Sequence, residues 1–117
     1  RDIIQHLTDG ERVFAYRALR FARNDKTALP GFDENLFAET SGANNRPLEH
    51  VLEEIRLVRL GTIALFRSFD EAALRRTGTM SGTELPVLAV GYTIVGHQKH
   101  HFGILRERYF PLLRSDK

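Results

Sequence analysis

The sequence predicts an all-α protein built as one helical bundle. Three observations carry that expectation. Apolar residues recur at three-, four- and seven-residue spacing through three long segments. The stretches between them are rich in Gly, Pro, Ser and Asn. No segment shows the clear apolar/polar alternation of a half-buried strand. At 117 residues, the chain has room for one core and one domain, spanning 1–117.

The first helix is expected over 2–23, where Ile3, Leu7, Phe14, Ala18 and Phe21 form the apolar stripe and Asp2 is placed to cap the N-terminus. Gly10 weakens this helix by ~1 kcal/mol relative to Ala, but it lies beside His6, where it permits close approach. Periodicity then disappears over 24–46. Leu29-Pro30-Gly31-Phe32-Asp33 is turn chemistry with an aromatic anchor, and Ser41-Gly42-Ala43-Asn44-Asn45 reads as loop. A connection of this length suits a lid or a crossover, and it lets the flanking helices run parallel.

Pro47 opens the second long helix, expected to reach residue 69, with Val51, Ile55, Val58, Thr62, Leu65 and Phe69 as its buried stripe. Asp70 caps a short turn of helix through residue 76, and the Gly/Thr/Ser-rich stretch 77–84 is expected as a loop. Pro86 opens the last helix, running to about residue 109. Its first half is apolar on more than one side (Val87, Leu88, Val90, Gly91, Ile94, Val95), which predicts deep burial.

Composition narrows the function. With 42% apolar and 27% charged residues and no apolar run near bilayer length, the chain reads as soluble and cytoplasmic. With no cysteine, there is no disulfide, no thiolate ligand and no cysteine nucleophile. A net charge of +2, with acids interleaved among the bases, argues against nucleic acid. Arginines outnumber lysines 14 to 3, and a guanidinium fork matches an anionic ligand. Arg17, Arg20, Arg23, Arg106 and Arg108 could gather at the bundle mouth for that purpose, although ordinary surface arginines explain them equally well.

The chemistry points to three histidines. His97 and His101 lie at i and i+4 and share one face of the last helix with Ile94 and Leu105. His6 lies on or beside the apolar side of the first helix. Imidazoles from two helices can ligate one divalent ion and leave positions open for water or substrate. Zinc and nickel both suit such ligands. His100 sits about 100° round the helix from His101 and about 60° from His97, so it is a supporting or surface residue and not a ligand. Asp9, one turn from His6, is a candidate to orient an imidazole through its second nitrogen. His50 is read as solvated, and Glu11 and Glu107 as solvent-facing charges.

These residues carry a family resemblance. Arg1-Asp2-Ile3-Ile4-Gln5-His6-Leu7-Thr8-Asp9 resembles the HLxD helix motif of the DinB-like four-helix-bundle family. Residues 14–23, followed by Leu29-Pro30-Gly31-Phe32-Asp33, resemble the next stretch of that family, and Gly96-His97-Gln98-Lys99-His100-His101 resembles its HxxHH motif. The resemblance implies a DinB-like four-helix bundle with a long crossover loop. The family helix that precedes the HLxD helix is missing here, so the domain is expected to be N-terminally incomplete. It implies a divalent metal, zinc or nickel, on His6, His97 and His101. The implied reactions are thiol-dependent S-transfer with a low-molecular-weight thiol, or metal-dependent hydrolysis, acting on a small molecule. Without the first helix one side of the core is open, which predicts a homodimer. The alternative is a non-catalytic metal-binding or interaction module of stress response.

Overall fold

The computed structural model describes residues 1–104, with side chains through residue 99. The order is α1 (Asp2–Ala22), α2 (Glu34–Thr40), a 3-10 turn (Ala43–Asn45), α3 (Leu48–Arg67), α4 (Glu71–Arg75), β1 (Thr77–Met80), β2 (Thr83–Pro86) and α5 (Val87–Ile104). The protein is mostly helical, as its apolar spacing predicts.

Helix α1 is the hub, because both α3 and α5 pack along it. Leu7, Ala18 and Phe21 of α1 are fully buried, as are Val51 of α3 and Val87 and Val90 of α5. Burial of each large apolar side chain contributes about 1.5–3 kcal/mol before entropic costs. Cross-links fix the directions. Gln5 bonds Arg46, Arg12 pairs with Glu54 and Glu11 with Arg59, so α1 and α3 run parallel. His6 meets His97 near the start of α1, and Phe21 packs with Val87 and Val90 near its end, so α5 is antiparallel to α1. The long connection thus does what its length predicts.

Five expectations are corrected. The connection 24–46 is not all loop: Asp33 accepts the Leu36 amide at 3.0 Å, and this cap starts α2 despite its lack of a long apolar stripe. The stretch 77–84 is not a loop but an antiparallel hairpin, with Thr77 opposite Pro86 and Met80 opposite Thr83. Ser81 and Gly82 both take positive φ (52° and 79°), the two-residue turn whose twist matches paired strands. Gly78 seats this hairpin on the core, since a Cβ there would fall 2.1 Å from the Phe21 ring. Asp2 does not cap α1: Arg1 occupies the cap position, and the Asp2 carboxylate accepts a bond from Asn44 at 3.1 Å.

Helix α5 is not buried all round. Val87, Val90 and Ile94 face α1, whereas Leu88, Tyr92 and Val95 remain exposed. The cause is that α3 and α5 each rest on α1 with little contact between them, leaving a groove. Lastly, Glu11 is not a solvent-facing charge but is 2% exposed. It lies one turn beyond Leu7 and two before Ala18, on the same inward face.

Candidate metal centre

Helix α1 delivers His6 and α5 delivers His97 to one point, and their Nε2 atoms lie 3.2 Å apart. The rings meet edge to face, with centroids 5.0 Å apart at 73°. Phe14, two turns after His6, presents its ring to His97 in the same manner at 6.2 Å. Gly10 of α1 faces the His97 ring: a Cβ there would be 3.5 Å from His97 Cε1, an ordinary van der Waals distance, so the ring lies over the α1 backbone with room for a methyl group. Both histidines are half-buried.

The His101 side chain lies outside the described residues, as does that of His100. The backbone of α5 continues as helix through both, which keeps His101 one turn from His97 on the same side. Among the described residues no three His, Cys, Asp or Glu side chains converge as a metal site. Asp9 accepts a bond from Gln5 Nε2 at 3.0 Å and shares with His6 the wall of a small cavity under Phe32 and Phe37 of the connection. His50 is exposed, as expected.

A polar lattice holds the N-terminal turns of α1. Gln5, itself buried, accepts from Arg46 Nη1 at 2.6 Å, and Arg46 also bonds Glu54 at 2.9 Å. The Arg46 bond holds the Glu54 carboxyl below its ordinary value, with smaller contributions from Gln5 and Arg12. One turn beyond His6, Glu11 accepts from Arg59 Nη2 at 2.9 Å, from Arg59 Nε at 3.1 Å and from Gln98 Nε2 at 2.6 Å. Sequence reasoning missed this three-helix clamp, although Gln98 continues the inward stripe of α5 at four residues from Ile94.

Among the described residues, Arg17, Arg20 and Arg23 do not gather at one mouth. Arg20 pairs with Asp25 at 2.8 Å, and Arg23 is exposed at the end of α1. Arg106, Arg108 and Glu107 lie outside the described residues. Arg17 turns inward: its Nη2 donates to the Pro30 carbonyl at 2.9 Å, and its guanidinium sits 5.7 Å from the Phe14 ring centroid and 5.8 Å from that of Phe32. A cavity of about 290 Å³ opens beside it, lined also by Thr93, one turn before His97 on α5.

The DinB superfamily model matches residues 1–105. No curated protein and no solved structure matches the chain. No helix among the described residues is long and apolar enough to cross a membrane.

Proposed function

The chain belongs to the DinB superfamily, and from that premise we propose that His6, His97 and His101 hold one divalent ion, zinc or nickel, in a small-molecule enzyme. One observation carries this reading: the 3.2 Å separation of the His6 and His97 Nε2 atoms. Two ligand nitrogens about 2.0–2.1 Å from a shared ion, at an angle of roughly 100°, stand that far apart. An N–H···N bond between the rings also fits the distance, so occupancy must be measured. A bound ion supplies one kind of chemistry here: it lowers the pKa of a water or thiol and makes a nucleophile at neutral pH. The chain's own contribution is to aim two imidazoles at one point, flank one of them with Phe14, and set Asp9 on the wall of the small cavity that His6 lines.

The reaction class is thiol-dependent S-transfer or metal-dependent hydrolysis. The alternative, a non-catalytic module of stress response, calls for a plugged site. The cavity that opens one turn from His97, with a guanidinium and a hydroxyl on its wall, favours the enzyme.

The expected four-helix packing and homodimer belong to the same reading. Their support is the groove between α3 and α5, about 300 Å³, walled by Ile63, Phe66, Leu88, Tyr92 and Val95. Helix α3 carries Glu49 in its first turn and Arg67 in its last. Two copies of α3 laid antiparallel over the groove therefore oppose unlike charges at both ends and give each bundle its fourth wall. Light scattering of the eluting full chain tests this, and a monomer at micromolar concentration refutes it.

For the metal, protein without a polyhistidine tag is loaded with zinc or nickel, dialysed and analysed for elemental content. One ion per chain is expected, lost in His97→Ala and in His101→Ala. An empty wild-type protein sinks the metal reading, and full occupancy in His101→Ala removes that residue from the ligand set.

A further inference from the structure

We propose that the cavity walled by Phe14, Arg17, Phe32 and Thr93 binds the carboxylate of an otherwise apolar small molecule, with the Arg17 guanidinium as its anchor. Arg17 is 4% exposed, yet among the described residues no carboxylate pairs with it. Arg12, Arg20, Arg46, Arg56, Arg59 and Arg75 all have such a partner. A guanidinium carries five N–H donors in a rigid fork. Here one group is committed, Nη2 to the Pro30 carbonyl. Every fully enclosed side-chain nitrogen among the described residues has a partner. The remaining Arg17 donors therefore retain accessible surface, and the surface Arg17 contributes is the cavity of about 290 Å³ that it lines.

The surroundings define the ligand. Phe14 and Phe32 flank the guanidinium, so it is held in place and partly stripped of water before any ligand arrives. Burial also pushes its pKa below the ordinary arginine value, the cost of a desolvated cation that an incoming anion offsets. Met80 and Gly31 add further apolar or bare wall, which suits a hydrocarbon or aromatic body. Thr93 donates its hydroxyl proton to the Ala89 carbonyl at 2.9 Å, so toward the cavity it offers an acceptor. Glu34 also borders the cavity and repels excess negative charge. That favours a carboxylate monoanion over a phosphate dianion.

Thr93 is one turn from His97, and Phe14 touches both the cavity and the His97 ring. A carboxylate held by Arg17 would therefore leave the body of the molecule beside the histidine pair; this consequence, unlike the binding itself, rests on the metal-enzyme reading.

The test uses the full chain stripped of metal with EDTA, so that a carboxylate cannot score by ligating an ion. Phenylacetate and its neutral analogue phenylacetamide are titrated, with amide chemical shifts as the readout. Phenylacetate should bind at least about tenfold tighter than the amide, the difference one charge-assisted fork makes. Shifts should centre on Gly31, Phe32 and Thr93. Arg17→Gln, with its helix content verified by circular dichroism, should erase the preference. Equal binding of the two compounds, no phenylacetate binding up to about 10 mM, or shifts centred elsewhere overturns the proposal. Tighter binding of phenyl phosphate overturns the monoanion assignment. If Arg17→Gln does not fold, the wild-type comparison still decides. Failure of His97→Ala to lose metal would sink the metal reading and leave this result untouched.

Discussion

The clamp of Glu11, Arg59 and Gln98 makes an asymmetric prediction. The Glu11 side chain is 1% exposed, whereas that of Arg59 is 33% exposed. Arg59→Met keeps most of the aliphatic stem but strands a buried carboxylate with Gln98 as its one remaining donor among the described residues. Removing the partner of a buried charge costs about 3–5 kcal/mol. Glu11→Gln leaves a guanidinium that is already one-third in water and can hydrate, and its amide oxygen still accepts from Arg59. That loss is about 1–2 kcal/mol, the difference between a charge-assisted and a neutral hydrogen bond discounted for solvent. Urea unfolding of metal-free protein, followed by far-ultraviolet circular dichroism, should separate the two variants by about 2 kcal/mol. With a slope of about 1–3 kcal/mol per molar urea, the midpoints differ by about 1 M. Equal midpoints, or a larger loss in Glu11→Gln, would refute the reasoning that burial of Glu11 sets the cost.

Further outcomes follow from packing and charge. Gly78→Ala puts a Cβ 2.1 Å from the Phe21 ring, so the hairpin or the ring must move, and about 1–3 kcal/mol or more should be lost. Gly10→Ala meets His97 at an ordinary 3.5 Å and gains helix propensity of about 1 kcal/mol, so thermal melts should show it no less stable than wild type. The Asp25 carboxyl is held down to about 2, first by the Thr27 backbone amide, then by the Thr27 side chain and Arg20. Its folded pKa lies below its unfolded one. The stability it adds is therefore present above about pH 4 and is lost as pH falls toward 2. A carboxyl NMR titration should find Asp25 near 2, and Asp25→Asn should flatten the stability profile across that window; an Asp25 titrating near 4 contradicts the assigned bonds.

Much of this architecture is legible in the apolar spacing. The long helices begin within a few residues of where their stripes and prolines place them, α1 and α3 also end there, the expected end of the last helix near 109 lies outside the described residues, and Asp70 caps α4 through the Ala73 amide at 2.8 Å. The misses have identifiable causes. A hairpin made from Thr-Gly-Thr-Met and Thr-Glu-Leu-Pro has strands of only four residues, too short for alternation to stand out from a loop rich in glycine and threonine. Its one clear signal is Ser81-Gly82 between Met80 and Thr83, a two-residue turn dipeptide. Glu11 reads as solvent-facing only where its charge outweighs its position on the helix. The stripe through Leu7, Ala18 and Phe21 passes over residue 11, and burial there depends on Arg59, which comes from a helix 48 residues away in sequence. The pairing of His6 with His97 was legible as two inward faces, but no local pattern encodes the 3.2 Å contact.

The position of the Arg17 cavity follows from topology. Because α1 and α3 run parallel, the chain leaving the C-terminal end of α1 must travel back along the bundle before α3 can begin. Its return path, residues 24–46, passes over the face of α1 that carries Arg17 and His6. The Pro30 carbonyl stops at Arg17, Phe32 covers the guanidinium, and α2 follows with the Phe37 ring tilted against Phe32 at 4.9 Å. A short antiparallel turn between α1 and α3 would leave Arg17 in open solvent. There it would have no aromatic flank, and its charge would be screened like that of any surface arginine. The segment without periodicity therefore supplies one wall of the cavity, and α1, α5 and the hairpin at Met80 and Ser81 supply the others. Shortening 24–46 should damage the Arg17 environment before it affects the contact between α1 and α5, because α1 carries His6 and α5 carries His97.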